Sequence, residues 1–431
     1  MNSVNIIKNS NLCCSCGICK NVCPVSAITY QREKGMYVPS IGENCINCGK
    51  CLDICPSRSH KYVGCTIDEA MFGNVISSIN AWSRNEELRF VSASSGVVTT
   101  IINTLLDKNL YDCVFTLDTY DYKKQVCTNK YDKLTYKTDI AKSQSFTKSR
   151  YLPVSHEHLI EYIINNREKK VIIVAVSCAV RGILNVIDKY KLNRENYLII
   201  GLFCDQVFNY NIYDYFSDSR FTDGKNLSLI HFKNKESGGW PGNIKLFFDD
   251  GSSKYIDKNE RVKAKSYFMP ERCLYCIDKI NVLSDISVGD NYTDQNSTQL
   301  GSNSVVIRTE LGKRAFEISK EFLKYEDVDI QKIADAQYFD GRKVNYCFAK
   351  IKSENIDNKE IQMNSELDTD LKYKNFLKEY KNKLECIRLG EIYPNQKELL
   401  ITRINTPVVI KKASFLSRVK GFVKRRTHNE G

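Results

Sequence analysis

Cysteine is the residue type in this chain whose spacing most clearly suits chemistry. The 431 residues include 18 cysteines and only five histidines. Residues 11–24, NLCCSCGICKNVCP, hold five cysteines in one short stretch, more than a hydrophobic core or a turn requires. Residues 43–56, ENCINCGKCLDICP, repeat the same arrangement with four cysteines. Such a repeat of thiols indicates metal ligation or redox chemistry.

Both stretches read C-x2-C-x2-C-x3-C-P, which is the spacing that binds cubane iron–sulfur clusters in bacterial ferredoxins. The first three thiolates bind one cluster, and the fourth, before the proline, binds the cluster of the other half. Zinc knuckles also contain C-x2-C pairs, but two complete copies with Cys-Pro favour iron–sulfur clusters. Cys14 lies outside the register, and we interpret it as a small buried apolar residue. The predicted ligands are Cys13, Cys16, Cys19 and Cys55 for cluster I, and Cys45, Cys48, Cys51 and Cys23 for cluster II.

Four further cysteines lie in an α/β pattern later in the chain. Cys178 ends the apolar run KKVIIVAVSC, and Cys204 ends the run YLIIGLFC, so both follow predicted buried strands. Ligands bind at the carboxyl edge of such sheets. Cys273 and Cys276, in PERCLYCIDK, add a C-x2-C pair. Four thiolates suit a third cubane cluster or a structural zinc, and independent buried cysteines are the other alternative.

A serine-rich loop precedes a predicted helix at residues 97–106. Ser94, Ser95 and Gly96 would offer hydroxyls and free N–H groups at the start of this helix, which suits a phosphate. A serine cap without any ligand is the alternative interpretation.

Composition and charge limit the class of protein. Apolar residues make up 42% and charged residues 26%, which is typical of a globular protein. No apolar run is long enough to span a membrane and no secretory signal is evident, so we expect a cytoplasmic protein. The net charge is +12, but residues 411–426 alone hold seven Lys or Arg and no acid, so no nucleic-acid partner is predicted. This tail has the pattern of a basic amphipathic helix, which fits an anionic membrane surface or an acidic partner, with a frayed terminus as the alternative.

The order of the segments also resembles a known family. After the ferredoxin-type repeat come SSGVVTTII, KSRYLPVS, VAVSCAVRGIL, GLFCDQV, RCLYCIDKINVLSDISVGDNY and SNSVVIRTELGKRAFE. Over roughly residues 11–325 the chain resembles the family of coenzyme F420 hydrogenase/dehydrogenase beta subunits. The resemblance implies FAD, iron–sulfur clusters and hydride exchange with a soluble deazaflavin or a similar acceptor.

The resemblance also implies site residues. It groups Cys178, Cys204, Cys273 and Cys276 around a cluster beside the flavin, and it marks SDISVGD as an acidic motif near the cofactor. The segments VSCAV, CDQ and SSG depart from the family's usual G-T-P-C-Q, C-H-G and S-G-G, although all four thiols are kept. The implied FAD-binding residues are Ser94, Ser95, Gly96, Lys148, Ser149, Arg150, Tyr151, Asp285, Gly289 and Asp290.

We therefore predict an α/β protein, α+β overall, with a small ferredoxin-like domain, a larger α/β flavin and iron–sulfur domain and a helical C-terminal extension. The expected boundaries are 1–65 for the two-cluster domain, 66–86 for a linker, 87–325 for the α/β domain and 326–431 for the extension.

The predicted function is that of an oxidoreductase, which passes electrons between 4Fe-4S clusters and FAD and exchanges electrons with a redox partner protein or a soluble carrier. The alternatives are a non-catalytic electron-transfer module and a reductase of a surface-polysaccharide pathway. No side chain stands out as a catalytic acid, base or nucleophile.

Overall fold

The computed structural model describes residues 3–58, 66–121, 126–132, 148–293, 299–355 and 373–405. The N-terminal module pairs two strands as an antiparallel hairpin, in which Ile28 lies opposite Ile41. Lys34 and Gly35 at its turn have φ of 51° and 73°, the left-handed conformation that a two-residue hairpin turn requires. The elements are α1 (Asn5–Asn9), β1 (Ile28–Glu33), β2 (Met36–Ile41) and α2 (Lys50–Asp53).

The first part of the larger domain alternates helices with strands, as the apolar runs of the sequence indicate. Its elements are α3 (Ile67–Phe72), β3 (Ser77–Ser83), α4 (Glu86–Val91), α5 (Val97–Asp107), β4 (Cys113–Asp121), β5 (Val126–Asp132), β6 (Val154–Ser155), α6 (Glu157–Asn165), β7 (Val171–Val176), α7 (Ser177–Lys189), β8 (Tyr197–Leu202), α8 (Asn211–Phe216) and α9 (Ser219–Thr222).

The second part inserts a small antiparallel sheet and then returns to the large one. Its elements are β9 (Leu227–Asn234), β10 (Asn243–Phe248), β11 (Ser253–Ile256), α10 (Lys258–Ala264), β12 (Ile286–Asp290), β13 (Asn303–Ile307), α11 (Glu310–Ser319) and β14 (Leu323–Asp327). A 3-10 turn, Glu271–Tyr275, precedes β12. The small sheet has the order β11-β10-β9.

Within the described residues, nine strands form one mixed sheet in the order β14-β3-β13-β12-β8-β7-β4-β5-β6. The central strands β12, β8, β7 and β4 run parallel to one another. β7 and β8 are buried along almost their whole length, as expected for a parallel sheet that has helices on both faces. The predicted α/β class is confirmed.

The expected linker at 66–86 is wrong. This segment contains α3 and β3, and β3 pairs with both β13 and β14 inside the large sheet. Its seven residues, SSINAWS, read poorly as an isolated strand because serine and asparagine dominate them. Pairing on both sides stabilises β3, so the α/β domain begins before residue 87.

The C-terminal extension is helical over the residues that the structure describes. It comprises α12 (Ile330–Ala336), α13 (Phe339–Glu354), α14 (Leu377–Glu391) and α15 (Lys397–Asn405). No helix in the described part of the chain is long and apolar enough to cross a bilayer. The predicted basic amphipathic tail, residues 411–426, lies outside the described residues.

The N-terminal module packs against the larger domain through a shared hydrophobic contact. Ile18 and Ile54 of the module share one buried hydrophobic cluster with Val180 and Ile183 of α7. Gly182 allows this approach, because a Cβ at that position would meet Ile18 Cδ1 at 2.6 Å. The contact fixes the first repeat against the end of the central sheet.

Candidate iron–sulfur centres and adjoining pocket

The two ferredoxin-type repeats form two cavities with the predicted crossed pairing. One cavity of about 320 Å³ is lined by the cluster II set, Cys23, Cys45, Cys48 and Cys51. The other, of about 360 Å³, is lined by the cluster I set, Cys13, Cys16, Cys19 and Cys55. In each, the cysteine before the proline comes from the other repeat.

The two cavities differ in exposure. The loop around the cluster II cavity lies at the surface, where Cys48 is exposed and Ile46 is 60% exposed. The cluster I cavity lies against the larger domain. Within the module, the Tyr30 hydroxyl is 3.1 Å from Cys19 Sγ, and the Ser15 N–H donates to Cys13 Sγ at 3.4 Å. Burial raises the pKa of the Cys13 and Cys19 thiols well above its usual value.

These donor sets fit a cubane cluster better than a single ion. Among the residues that the structure describes, no three His, Cys, Asp or Glu side chains are arranged to hold one metal ion. Zinc needs its thiolates about 2.3 Å from one centre. The thiols instead surround a cavity, and hydrogen bonds reach the sulfurs of Cys13, Cys19 and Cys23, as is usual around iron–sulfur clusters.

The structure also brings the other four predicted cysteines together. Cys178 lies in the first turn of α7, and Cys204 lies two residues after β8 ends. Burial raises the pKa of the Cys204 thiol well above its usual value, and Cys273, Cys178 and Cys276 raise it further by charge. Burial likewise raises the pKa of Cys273 to about 12. We call these four cysteines the third set.

Helix α13 of the extension supports the third set. Arg342 Nη2 donates to the Cys204 carbonyl oxygen and Nη1 donates to that of Cys276, both at 3.1 Å. Asn345 Nδ2 donates to the Cys276 carbonyl oxygen at 2.9 Å. No sequence pattern signals this role, because both residues lie in an ordinary polar helix far along the chain.

Cys14 is not a simple apolar packing residue, so that expectation is wrong. Its thiol lines the cluster I cavity, and its pKa is raised well above the usual value, chiefly by the nearby thiol of Cys16, with Cys178 also close enough to act on it. It therefore lies between the cluster I ligands and the third set. Its position depends on how the module docks on α7, which the spacing of the repeat does not encode.

The third set lies at the same edge of the sheet as Asp290. β7, β8 and β12 are parallel neighbours, with Val176 opposite Leu202 and Leu202 opposite Val288. Cys178 in the first turn of α7, Cys204 in the loop after β8 and Asp290 at the end of β12 each come two residues after these positions, so all three lie at this edge. Lys279 and Gln337 connect Cys204 to Asp290 through three hydrogen bonds. The Cys204 N–H donates to the Lys279 carbonyl oxygen at 2.8 Å, and Lys279 Nζ donates to the Gln337 carbonyl oxygen at 2.6 Å. Gln337 Nε2 in turn donates to the Asp290 carbonyl oxygen at 2.9 Å.

A cluster of buried basic side chains, which we call the basic pocket, adjoins Asp290. Lys233 and Lys235 extend from the end of β9, and Lys148 approaches from the segment before β6; all three are less than a tenth exposed. Lys233 forms an ion pair with Asp290. Burial lowers the pKa of Lys148 to about 8 and that of Lys235 to about 7, and each is lowered further by cationic neighbours. Buried cations that repel one another favour binding of an anion.

The remaining predicted flavin residues line this pocket or hold its loops. Ser94 Oγ donates to the Ser302 carbonyl oxygen at 3.0 Å, and Ser94 helps to lower the pKa of Asp290, although burial opposes this and Lys233 contributes more. Gly96 takes φ of 78° just before α5. Arg150 is buried, Ser149 is half-buried, and Tyr151 contacts Phe232 edge to face with the Arg261 guanidinium over its ring.

Three predicted residues make contacts within the fold, and one of them, Asp285, lies away from Asp290. Asp285 precedes β12, at the opposite end of this strand from Asp290, and it binds Arg194 at 2.8 and 2.9 Å and the Ile199 N–H at 2.7 Å. Ser95 is completely buried and donates to the Ala81 carbonyl oxygen at 3.0 Å. Gly289 leaves space for Phe203, whose ring would lie 2.1 Å from a Cβ.

Two models of one protein family match adjacent segments of this geometry. The model for the N-terminal part of coenzyme F420 hydrogenase/dehydrogenase beta subunits matches residues 78–161, and the model for their C-terminal part matches residues 168–332. Together they cover more than half of the chain. The chain belongs to the family of coenzyme F420 hydrogenase/dehydrogenase beta subunits. The N-terminal model begins inside β3, in agreement with the earlier start of the α/β domain.

Other comparisons extend the match of this family member to its N-terminal module. A 4Fe-4S dicluster domain model matches residues 12–59. The chain is 23% identical to the F subunit of the F(420)H(2) dehydrogenase of Methanosarcina mazei over 318 residues, which cover 72% of this chain and 83% of that protein. It is also similar to a chain of the F420-reducing [NiFe] hydrogenase complex from Methanosarcina barkeri, with 17% identity and a TM-score of 0.46 over 63% of this chain and 91% of that one. The dicluster match makes this family member an iron–sulfur electron-transfer protein that binds 4Fe-4S.

Proposed function

We propose that the protein is an iron–sulfur flavoprotein oxidoreductase with three 4Fe-4S clusters and FAD. The observation that carries the proposal is the alignment of Cys178, Cys204 and Asp290 at one edge of the sheet, with Cys14 linking this edge to the ferredoxin-type module. The thiols thereby form a continuous series from the exposed Cys48 to the basic pocket.

The chemistry comes from the bound groups. A cubane cluster carries one electron at a time, whereas a flavin exchanges a hydride and can also exchange single electrons. A deazaflavin or a similar soluble hydride carrier is the proposed acceptor or donor, since the named F(420)H(2) dehydrogenase relative spans most of this chain.

The residues of the chain divide the remaining tasks. Twelve cysteines are the proposed cluster ligands, in the crossed arrangement of the repeats and in the third set. The surface loop around Cys48 and Ile46 is the proposed contact for a redox partner protein, because it is the most exposed part of the series. Arg342 and Asn345 hold the loops that carry Cys204 and Cys276.

The basic pocket is the proposed FAD site. Lys148, Lys233 and Arg150 supply positive charge for a pyrophosphate, and the start of α5 after Gly96 supplies free N–H groups. Asp290 would fix the position of Lys233 through their ion pair. We do not assign Asp285 or the Ser95 side chain to the cofactor, because their polar atoms are engaged in the fold.

A non-catalytic electron-transfer module is the second candidate. The observation that favours it is that Lys233 already pairs with Asp290 and Lys235 already binds the Leu300 carbonyl oxygen at 2.8 Å, so part of the pocket is satisfied without a ligand. Such a protein would bind clusters but no flavin.

Cofactor analysis of protein purified without oxygen separates these candidates. About twelve irons and one FAD per chain support the proposal, whereas about eight irons would show two clusters only. A Cys178→Ala variant should lose about four irons and retain the rest, and an exposed-site control, Ser253→Ala, should lose none. A protein with full iron but no extractable FAD would establish the electron-transfer module instead.

A further inference from the structure

Arg272 connects the third set to the cluster I cavity. It immediately precedes Cys273 in the 3-10 turn, and it is only 6% exposed. Its Nε donates to Ser57 Oγ at 2.8 Å and its Nη2 donates to the Pro56 carbonyl oxygen at 3.2 Å. Because Pro56 and Ser57 directly follow the cluster I ligand Cys55, one guanidinium reaches both cysteine sets.

The positive charge of Arg272 acts on sulfurs of both sets. The hydroxyl and the carbonyl that accept its hydrogen bonds are neutral, so they leave the charge uncompensated. The sulfurs that interact with it electrostatically are those of Cys13, Cys14, Cys55, Cys178, Cys273 and Cys276.

We propose that Arg272 is one buried positive charge shared by cluster I and the third cluster, and that it raises the reduction potentials of both. The inference rests on the proposed function, because it requires a cluster in the third set. A cluster becomes more negative when it accepts an electron, and a nearby fixed cation stabilises that reduced form strongly where water is excluded. Arg272 acts through the clusters and is a positioning and tuning residue.

The sharing has a functional reason. Two neighbouring clusters that are both reduced repel each other, which would hinder the delivery of a second electron. A cation beside both clusters offsets this repulsion, because it attracts the added negative charge on each of them. The Cys14 thiol, which contacts Cys16 on one side and Cys178 on the other, supports the proximity of the two sets.

The test is an anaerobic redox titration of the intact chain, in which EPR spectra measure the reduction of each cluster. Arg272→Gln removes the charge, Arg272→Lys keeps it, and Arg58→Gln is the matched control. Arg58 lies in the same loop after Cys55, but it is at the surface and pairs with Asp53 at 2.7 Å. Titration of Cys178→Ala identifies the signal of the third cluster by its loss.

Arg272→Gln should lower the potentials of cluster I and the third cluster, each by at least a tenfold change in the one-electron reduction equilibrium, which is about 59 mV. Cluster II should be unchanged, and Arg272→Lys and Arg58→Gln should remain near the wild type. A shift of only one cluster overturns the shared charge. Equal shifts in the Gln and Lys variants overturn it too, because they would assign the effect to lost hydrogen bonds.

The wild-type protein provides a measurement that does not depend on how the variants fold. The EPR spectrum of the fully reduced protein should show magnetic interaction between cluster I and the third cluster, and this interaction should disappear in Cys178→Ala. Spectra that differ only by an added independent signal overturn the proximity. Iron content distinguishes the failures: about eight irons per wild-type chain refute the proposed third cluster, whereas about twelve irons without shifts refute the role of Arg272 alone.

Discussion

Replacing Asp285 with Asn tests whether this residue serves the fold or the cofactor. Its side chain is 2% exposed, and it accepts two hydrogen bonds from Arg194, one from the Ile199 N–H and one from Thr309 Oγ1 at 2.7 Å. An asparagine has the same shape but is neutral, and its NH₂ group would face donors where the carboxylate oxygen accepted.

The magnitude follows from these contacts. Breaking a buried ion pair costs about 3–5 kcal/mol when the remaining charge stays buried. Arg194 is 34% exposed, so water would solvate its guanidinium and reduce that cost. Hydrogen bonds to a charged group contribute about 1.5–3 kcal/mol each. We expect Asp285→Asn to lower the free energy of unfolding of the sheet domain by about 2–4 kcal/mol, which lowers its melting temperature by roughly 5–12 °C.

Thermal unfolding followed by far-UV circular dichroism measures this change, and FAD per chain is measured on the same preparations below the melting transition. Asp250→Asn is the control, because Asp250 pairs with Lys225 at the surface, where water screens the pair, and this variant should unfold like the wild type. A variant that unfolds like the wild type but loses its flavin would refute the structural role of Asp285.

Three further predictions concern other parts of the molecule. The affinity for FAD should fall as pH rises through about 8, where Lys148 loses its proton, and Lys148→Gln should bind FAD more weakly and lack this fall in isothermal titration. Gly17→Ala should destabilise the docked module by about 1–3 kcal/mol in thermal unfolding, because Gly17 has φ of 74° and a Cβ would lie 2.2 Å from Ser155 Oγ; adding Ser155→Ala should recover only part of this loss. Burial raises the pKa of Asp218, but the opposing effect of Lys397 and Arg220 is larger, and the net pKa is lowered to about 2. The contribution of Asp218 to stability is therefore fully present above the usual aspartate pKa near 4, and it is lost as pH falls through about 2. Urea unfolding should therefore show Asp218→Asn less stable than the wild type at about pH 6 and equally stable near pH 2, and a constant difference would contradict this sign.

The sequence predicted the cysteine sets because their positions follow from local rules. The spacing of each repeat specifies which thiols share a cavity, and the crossed partner follows from the Cys-Pro that redirects the chain. Cys178 and Cys204 follow apolar runs that form β7 and β8, and parallel strands end at a common edge.

The separation of Asp285 from Asp290 does not follow from the same reasoning. The motif SDISVGD includes both ends of β12, whose residues rise about 3.3 Å each, so Asp285 and Asp290 lie about 16 Å apart along the strand. A motif that spans a whole strand cannot direct both of its acids to one edge. The pairing of β3 between β13 and β14 was missed for a different reason, since this polar strand gains its stability from distant partners.

The surroundings of Cys14 depend on how the loop that carries the cluster I ligands packs on the α/β domain. A loop that wraps a cluster directs its ligand residues inwards, so residues between the ligands contact whatever packs against the loop. In an isolated ferredoxin domain that neighbour would be water, and a small apolar residue would be a reasonable interpretation of Cys14. Here the neighbour is the first turn of α7, and Cys14 contacts Cys178 there while Gly17 lies against Ser155. The residues of the first repeat that are not ligands therefore form its contact with the α/β domain. Arg272 of the α/β domain contributes to the same contact by its hydrogen bond to Ser57.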